Sequence, residues 1–264
     1  MNGLAARIAA SRPAPGTVEL FYLAQAGMML KTPEGTVLAV DPYLSNFLET
    51  PGGGYRRLIP PPLAPEEFAA DWLLATHAHE DHLDPVLAKL AAERLPKLRF
   101  LGAPDCRKSY AALGIPPERT VILARGESAV LGPVRVRATY ADHGELAPDA
   151  VGFLIEFKGV TVYVTGDTAS RPEPILQSLA GVRPDLMMVP INPAYGNPGA
   201  EGAAKLAAAV RPRAALATHY GMFAEHGGDP EEFRKCVRRL APEVDVFVLS
   251  PGESLVVPTR RNGL

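Results

Sequence analysis

Short apolar runs, each stopping at a polar or glycine-containing junction, set the rhythm of this chain. Asp71-Trp72-Leu73-Leu74-Ala75-Thr76 reads as a buried strand bounded by a polar turn, and Val134-Arg135-Val136-Arg137-Ala138-Thr139-Tyr140 alternates apolar and polar like a half-buried strand. Val160-Thr161-Val162-Tyr163-Val164-Thr165 is a β-branched run, and residues 185–191 and 214–218 read as further strands. Phe21-Tyr22-Leu23-Ala24-Gln25-Ala26-Gly27 leads towards another strand, which ends at Val40-Asp41-Pro42. Helices are expected over residues 85–93, 105–113, 172–179, 201–210 and 230–240. Two of them open on Asp-Pro, at Asp84-Pro85 and Asp229-Pro230, where the aspartate caps the first turn and proline takes the first helical position. Strands followed by helices, repeated twice with no linker between, predict one α/β domain over residues 1–264. The expected architecture is a four-layer αββα sandwich whose halves meet around residue 130. Residues 1–15 are expected as an arm or a loosely packed terminus. Pro51-Gly52-Gly53-Gly54 and Pro60-Pro61-Pro62 should break regular structure.

Composition narrows the classes. A hydrophobic content of 47% over 264 residues is ample for a sizeable core. A net charge of −2 gives no electrostatic footprint for nucleic acid. No apolar run is long enough to cross a bilayer, and Arg7 interrupts the short apolar stretch at the start, so no signal peptide is read there. Cys106 and Cys236 are too few to form a disulfide framework; they are expected as free buried thiols in a cytoplasmic protein.

The chemistry is concentrated where strands stop. Thr76-His77-Ala78-His79-Glu80-Asp81-His82 puts three of the six histidines and a carboxylate within six residues, directly after an expected strand. Neutral imidazole and carboxylate are the ligands of zinc, manganese and iron, and such a knot is hard to place without a shared cation. Asp142-His143-Gly144, Gly166-Asp167-Thr168 and His219-Tyr220-Gly221 follow three further strands in the same way. The order HxHxDH, then His, Asp and His resembles the metallo-β-lactamase superfamily along nearly the whole chain. Phe21–Gly27, Val40–Ser45, Ala147–Phe153 and Thr218–Phe223 add a likeness to its L-ascorbate-6-phosphate lactonase-like branch.

That resemblance implies a metallo-β-lactamase type of αββα fold and two divalent metal ions, zinc or manganese, with iron as a third candidate. One ion would be held by His77, His79 and His143, a second by Asp81, His82 and His219, with Asp167 bridging. Flavodiiron oxygen reductases place a carboxylate where His79 stands, which argues against redox chemistry. Asp142, beside His143, could coordinate in its place. Two cations about 3.5–4 Å apart would acidify a bridging water and polarise a carbonyl or phosphoryl oxygen, with Asp81 orienting the water. Asp84 is expected chiefly as a helix cap, with a metal role as the alternative. Asp41 is expected either to bond a ligating imidazole or to end its strand in a turn.

Substrate contacts are harder to read. Arg56 and Arg57 could pair with phosphate or carboxylate, or be solvated loop charges. Asn192, Tyr195 and Asn197 could face the site or build a turn, and Tyr220 could donate to an oxyanion or pack as an aromatic. His226, in a glycine-rich loop, is expected as a mobile surface residue. The expected function is hydrolysis of a small-molecule lactone or related carbonyl ester, phosphorylated or not. The alternatives are a phosphodiesterase for a nucleotide or phospholipid head group, and a non-catalytic metal-binding module. A homo-oligomer is compatible with the sequence.

Overall fold

A computed structural model of the protein describes residues 3–49 and 54–258; Pro51, Gly52 and Gly53 of the expected glycine-rich break lie outside them. The first sheet runs β1 (Val18–Ala24), β2 (Gly27–Lys31), β3 (Val37–Val40), β4 (Trp72–Ala75), β5 (Arg99–Gly102) and β6 (Thr120–Ile122). The second runs β7 (Ser128–Leu131), β8 (Val134–Tyr140), β9 (Val151–Phe157), β10 (Val160–Val164), β11 (Leu186–Pro190), β12 (Ala214–Thr218) and β13 (Asp245–Phe247). A last strand, β14 (Ser254–Val257), returns to pair with β1. Both sheets are mixed. The first is antiparallel up to β3 and parallel from β3 to β6, and the second is antiparallel up to β10 and parallel to β13.

The two-residue period of a strand sorts side chains between two cores. In β10, Val160, Val162 and Val164 join the core shared by the two sheets, while Tyr163 turns to the opposite face. In β11, Leu186 and Met188 face the shared core and Met187 and Val189 the other. Covering both faces with apolar side chains is what a parallel strand between layers requires, and it explains why these runs do not alternate in polarity. On the far side, α4 (Pro172–Leu179), α5 (Gly199–Val210) and α6 (Pro230–Leu240) contribute Ile175, Leu206 and Phe233 to the outer core. Against the first sheet, α2 (Pro85–Arg94) and α3 (Cys106–Ala112) bury Leu87 and Tyr110. The expected four-layer α/β arrangement is the one observed. The chain passes from one sheet to the other between Ile122 and Ser128, close to the expected residue 130.

The amino-terminal expectation needs correction. Leu4–Ala10 is a helix, α1, with Leu4 and Ile8 buried, not a loose arm. Lys31 Nζ donates to the carbonyls of Ile8 (2.6 Å) and Ala9 (2.9 Å), satisfying acceptors at the end of the helix, and Arg7 Nη1 donates to Gly252 O at 2.8 Å. Seven residues carry too short a period to be legible as a helix. Cys106 and Cys236 are free and buried, as expected. Among the described residues, no helix is long and apolar enough to cross a membrane.

Candidate metal centre

The ends of β4, β8, β10 and β12 converge, and the loops that follow them carry His77, His79, Asp81, His82, His143, Asp167 and His219 into one cluster. Ligand atoms of His77, His79 and His143 lie within 4.8 Å of one another, as do those of His77, His82 and Asp167. His219 Nε2 lies 3.2 Å from Asp81 Oδ2 and 3.3 Å from Asp167 Oδ2, and His82 Nε2 lies 3.4 Å from Asp167 Oδ1. The candidate ligands named from the sequence are therefore brought together in space. His143 Nε2 is 3.8 Å from Asp167, whereas Asp142 forms an ion pair with Arg171 at 2.9 Å.

The outer partners fix which ring nitrogens face inward. Asp41 accepts from Thr76 N (2.8 Å), Thr76 Oγ1 (2.7 Å) and His82 Nδ1 (2.8 Å), so it orients a centre residue and does not merely end a strand. Because Thr76 gives its one hydroxyl proton to Asp41, it can only accept from His77 Nδ1, 3.1 Å away. His79 Nε2 donates to Leu146 O at 3.1 Å. The remaining nitrogens, His77 Nε2 and His79 Nδ1, then oppose two lone pairs at 2.9 Å. That arrangement is repulsive on its own and is relieved by a shared cation, so the donor set fits a metal. Asn197 Nδ2 donates to Asp167 Oδ2 at 2.7 Å and fixes that carboxylate from behind.

Electrostatics point the same way. Burial works against ionisation of Asp167, but the imidazoles of His219 and His82 outweigh it and hold the carboxyl well below its usual range. Burial likewise opposes charge on His219, but Asp167 and Asp81 push it up to about 9. His82 is raised well above an ordinary imidazole: burial opposes, and Asp81, Asp167 and Asp41 prevail. The metal-free centre thus balances buried carboxylates with imidazolium protons, which a metal must displace. Zinc affinity should accordingly climb as pH rises from 6 towards 9, and uptake at pH 7 should release protons. Calorimetric titration in buffers of different ionisation enthalpy counts them; zero release contradicts this charge balance.

Glycines and strained backbone place these side chains. Gly166 takes φ +65°, and a Cβ there would sit 2.6 Å from Val151 O. Asp41 (φ 47°) and His219 (φ 60°) adopt the left-handed region despite bearing side chains, a conformation that persists when surroundings enforce it.

A cavity of 260 Å³ opens over the cluster, lined by His79, Glu80, Asp81, His143, Asp167 and His219 on one side and by Leu48, Tyr55, Leu146, Tyr195 and His226 on the other. Of the residues expected to touch substrate, Tyr195 is the one that lines it. Arg57 is committed elsewhere: Nη1 donates to Ser45 O and Nε to Ile59 O, both at 2.8 Å, with the guanidinium over the Tyr43 ring. Arg56 is exposed and contributes a backbone N–H to Glu225. Asn192 is buried and donates to Ala194 O at 3.2 Å within its own turn. Tyr220 packs against the helix-side core and is not among the residues lining the cavity. Asp84 accepts from Val86 N and Leu87 N as a helix cap, and from Leu44 N, Ser45 N and Ser45 Oγ, which leaves no oxygen for a metal.

Two residues of the centre escaped the sequence reading. Gln25 lies at the tip of the β1–β2 connection with φ 52°, and its Nε2 is 2.9 Å from Asp81 Oδ2. His226 is 3% exposed and stacks on His219 with ring centroids 4.8 Å apart, contrary to the mobile surface position expected. The available signal was that His226 is the one histidine outside the metal pattern.

Comparison with known proteins agrees with the geometry. The family described as beta-lactamase superfamily domain matches residues 36–220. A UPF0173 metal-dependent hydrolase of Cupriavidus taiwanensis is 30% identical, the match covering 94% of this chain and 90% of that protein. Another, from Archaeoglobus fulgidus, is 30% identical over 90% of this chain and 98% of its own. The structure of Igni18, a metallo hydrolase from Ignicoccus hospitalis, superposes with a TM-score of 0.73 at 25% identity, covering 92% of this chain and 100% of that one.

Proposed function

The chain belongs to the beta-lactamase superfamily and, within it, to the UPF0173 metal-dependent hydrolases; on that footing we propose that its His/Asp centre holds two divalent cations and opens a lactone or a related small, uncharged carbonyl ester. One cation would be held by His77, His79 and His143, the other by Asp81, His82 and His219, with Asp167 between them. When bound, such ions acidify a water and polarise a carbonyl oxygen. Zinc and manganese both suit a set of imidazoles and carboxylates.

The chain's own part is positioning. Asp41, Thr76 and Asn197 hold the ligand side chains in their orientations. Asp81, on the cavity floor, has an oxygen within reach of both His219 and Gln25 and can accept a hydrogen bond from the attacking water. Leu48, Tyr55, Leu146 and Tyr195 form an apolar wall that excludes bulk water from one side of the reacting group.

The observation that carries the substrate class is the charge of the lining. Among the described residues, no lysine or arginine lines the cavity, and Glu80 is the acidic residue there that is not assigned to a cation. A phosphorylated substrate needs a cationic partner away from the reacting atoms; of the two arginines expected to supply it, Arg57 is committed to Ser45 O and Ile59 O, and neither lines the cavity. On this reading the ring opening is carried over from the likeness to the L-ascorbate-6-phosphate lactonase-like branch, and the phosphate is not. A panel of uncharged lactones, their phosphorylated counterparts and simple phosphodiesters, followed by proton release at constant pH, tests this. Uncharged lactones should turn over with kcat/KM at least about tenfold above the phosphorylated ones. Preference for phosphodiesters would overturn the reading.

A further inference from the structure

His226 lies outside the ligand pattern of the sequence, yet it is buried beside the centre, with a ring nitrogen within 4.8 Å of ligand atoms of Asp81 and His219. Its ring stacks on His219 and meets Tyr55, Tyr195 and Phe223 edge-on, with centroids 5.2, 5.4 and 5.2 Å away. Four aromatic neighbours hold one imidazole in one plane, which is more restraint than packing of a surface loop requires. Gln25 fixes it further. Gln25 Nε2 lies 2.9 Å from Asp81 Oδ2 and 2.9 Å from His226 Nδ1. A primary amide offers two N–H donors, and these two acceptors, closer than either ring nitrogen of His219 (3.3 and 3.2 Å), use both.

The amide cannot be turned round, since Oε1 would then face the Asp81 carboxylate. The Gln25 backbone is pinned as well, its carbonyl accepting from His219 N at 2.7 Å and from Tyr22 Oη at 3.0 Å. Nδ1 of His226 is therefore an acceptor, and the ring proton resides on Nε2. Among the described residues no group bonds Nε2, and it is not one of the buried atoms lacking a partner, so it opens to the cavity that His226 lines.

We propose that His226 is a substrate-binding residue whose Nε2–H, held in that tautomer by Gln25, donates a hydrogen bond to the carbonyl oxygen of the bound ester. The assignment rests on the uncharged-ester reading above and adds the group that recognises the carbonyl. The role is donation of a hydrogen bond and not of a proton, because loss of the Nε2 proton would leave an imidazolate. Donors of this kind strengthen as charge develops on the oxygen, so both binding and turnover depend on it.

The test uses the full chain loaded with zinc. Nitrogen-15 NMR of the histidine side chains reports the tautomer without substrate, and should show His226 protonated at Nε2. A six-membered lactam, which carries the carbonyl but resists hydrolysis, serves as the binding probe. His226→Phe should keep the metal content of the unsubstituted protein, weaken lactam binding about tenfold and lower kcat on lactones by about 10²-fold. His226→Gln, whose amide can reach the Nε2 position, should restore most of the affinity, which also covers the case in which His226→Phe folds poorly. An Nδ1–H tautomer, or lactam affinity unchanged in His226→Phe, overturns the assignment. Loss of a metal equivalent in His226→Phe would make the residue a ligand and overturns it too. No lactam binding by the unsubstituted protein sinks the uncharged-ester reading itself, and the assignment with it.

Discussion

Asp167→Ala should reduce kcat/KM by at least about 10³-fold, beyond the roughly 10- to 100-fold that loss of an outer partner costs a metal site. The reason is position. Among the described residues, Asp167 is the one carboxylate that meets residues of both halves of the cluster, at 3.4 Å from His82, 3.3 Å from His219 and 3.8 Å from His143. Its removal would leave each half with its own ligands but take away the negative charge that would let the two proposed cations sit side by side. Elemental analysis of the purified variant should find one equivalent of metal fewer than in the unsubstituted protein. Circular dichroism should find the fold intact, because the cores between and outside the sheets do not include this residue. A variant that keeps both its full metal content and its activity would refute the bridging role.

Gly166→Ala should do comparable harm by a different route. At φ +65° a side chain is already strained by about 1–2 kcal/mol, and the added Cβ would lie 2.6 Å from the backbone oxygen of Val151 and 3.2 Å from Thr76 Cβ. Neither obstacle is a flexible side-chain end. Val151 opens β9, which is hydrogen-bonded to the metal loop through Val151 N and Thr76 O at 3.0 Å. Overpacking of this kind costs about 1–3 kcal/mol, so a total destabilisation of about 2–5 kcal/mol is expected. The strain falls on the two residues that flank the centre, Thr76 and Asp167, so metal affinity should fall together with stability. Denaturant unfolding and a competitive chelator titration measure the two effects. Unchanged stability would show that the junction yields more easily than its contacts indicate.

The centre was legible in the sequence to the extent that each ligand sits next to the strand that carries it. His77 to His82 follow β4 directly, and Asp167 and His219 stand within three residues of the ends of β10 and β12. What joined the site through long-range register was not legible. Gln25 reaches Asp81 across 56 positions and His226 across 201, and neither distance leaves a local pattern. Adjacency also misled. Tyr220 follows His219, but the left-handed backbone at His219 (φ 60°) breaks the strand alternation, and the tyrosine ring enters the helix-side core. The Arg56-Arg57 pair looked like an anion site until the carbonyls of Ser45 and Ile59 proved to hold the second of them. Asp142 and His143 could be separated only by seeing Arg171 against the former. At the level of fold, the five expected helices and the strands that carry the ligands were found, while β5, β6, β7, β9 and β13 were not read, and α1 and the returning β14 depended on contacts distant in sequence.

The most direct test of a two-cation ester hydrolase is a stepwise addition of zinc or manganese to metal-free protein, with lactone opening followed at constant pH. Activity should rise to a plateau at two equivalents per chain and vanish again on chelation. A plateau at one equivalent, or lactone opening that is absent at every loading, would contradict the account.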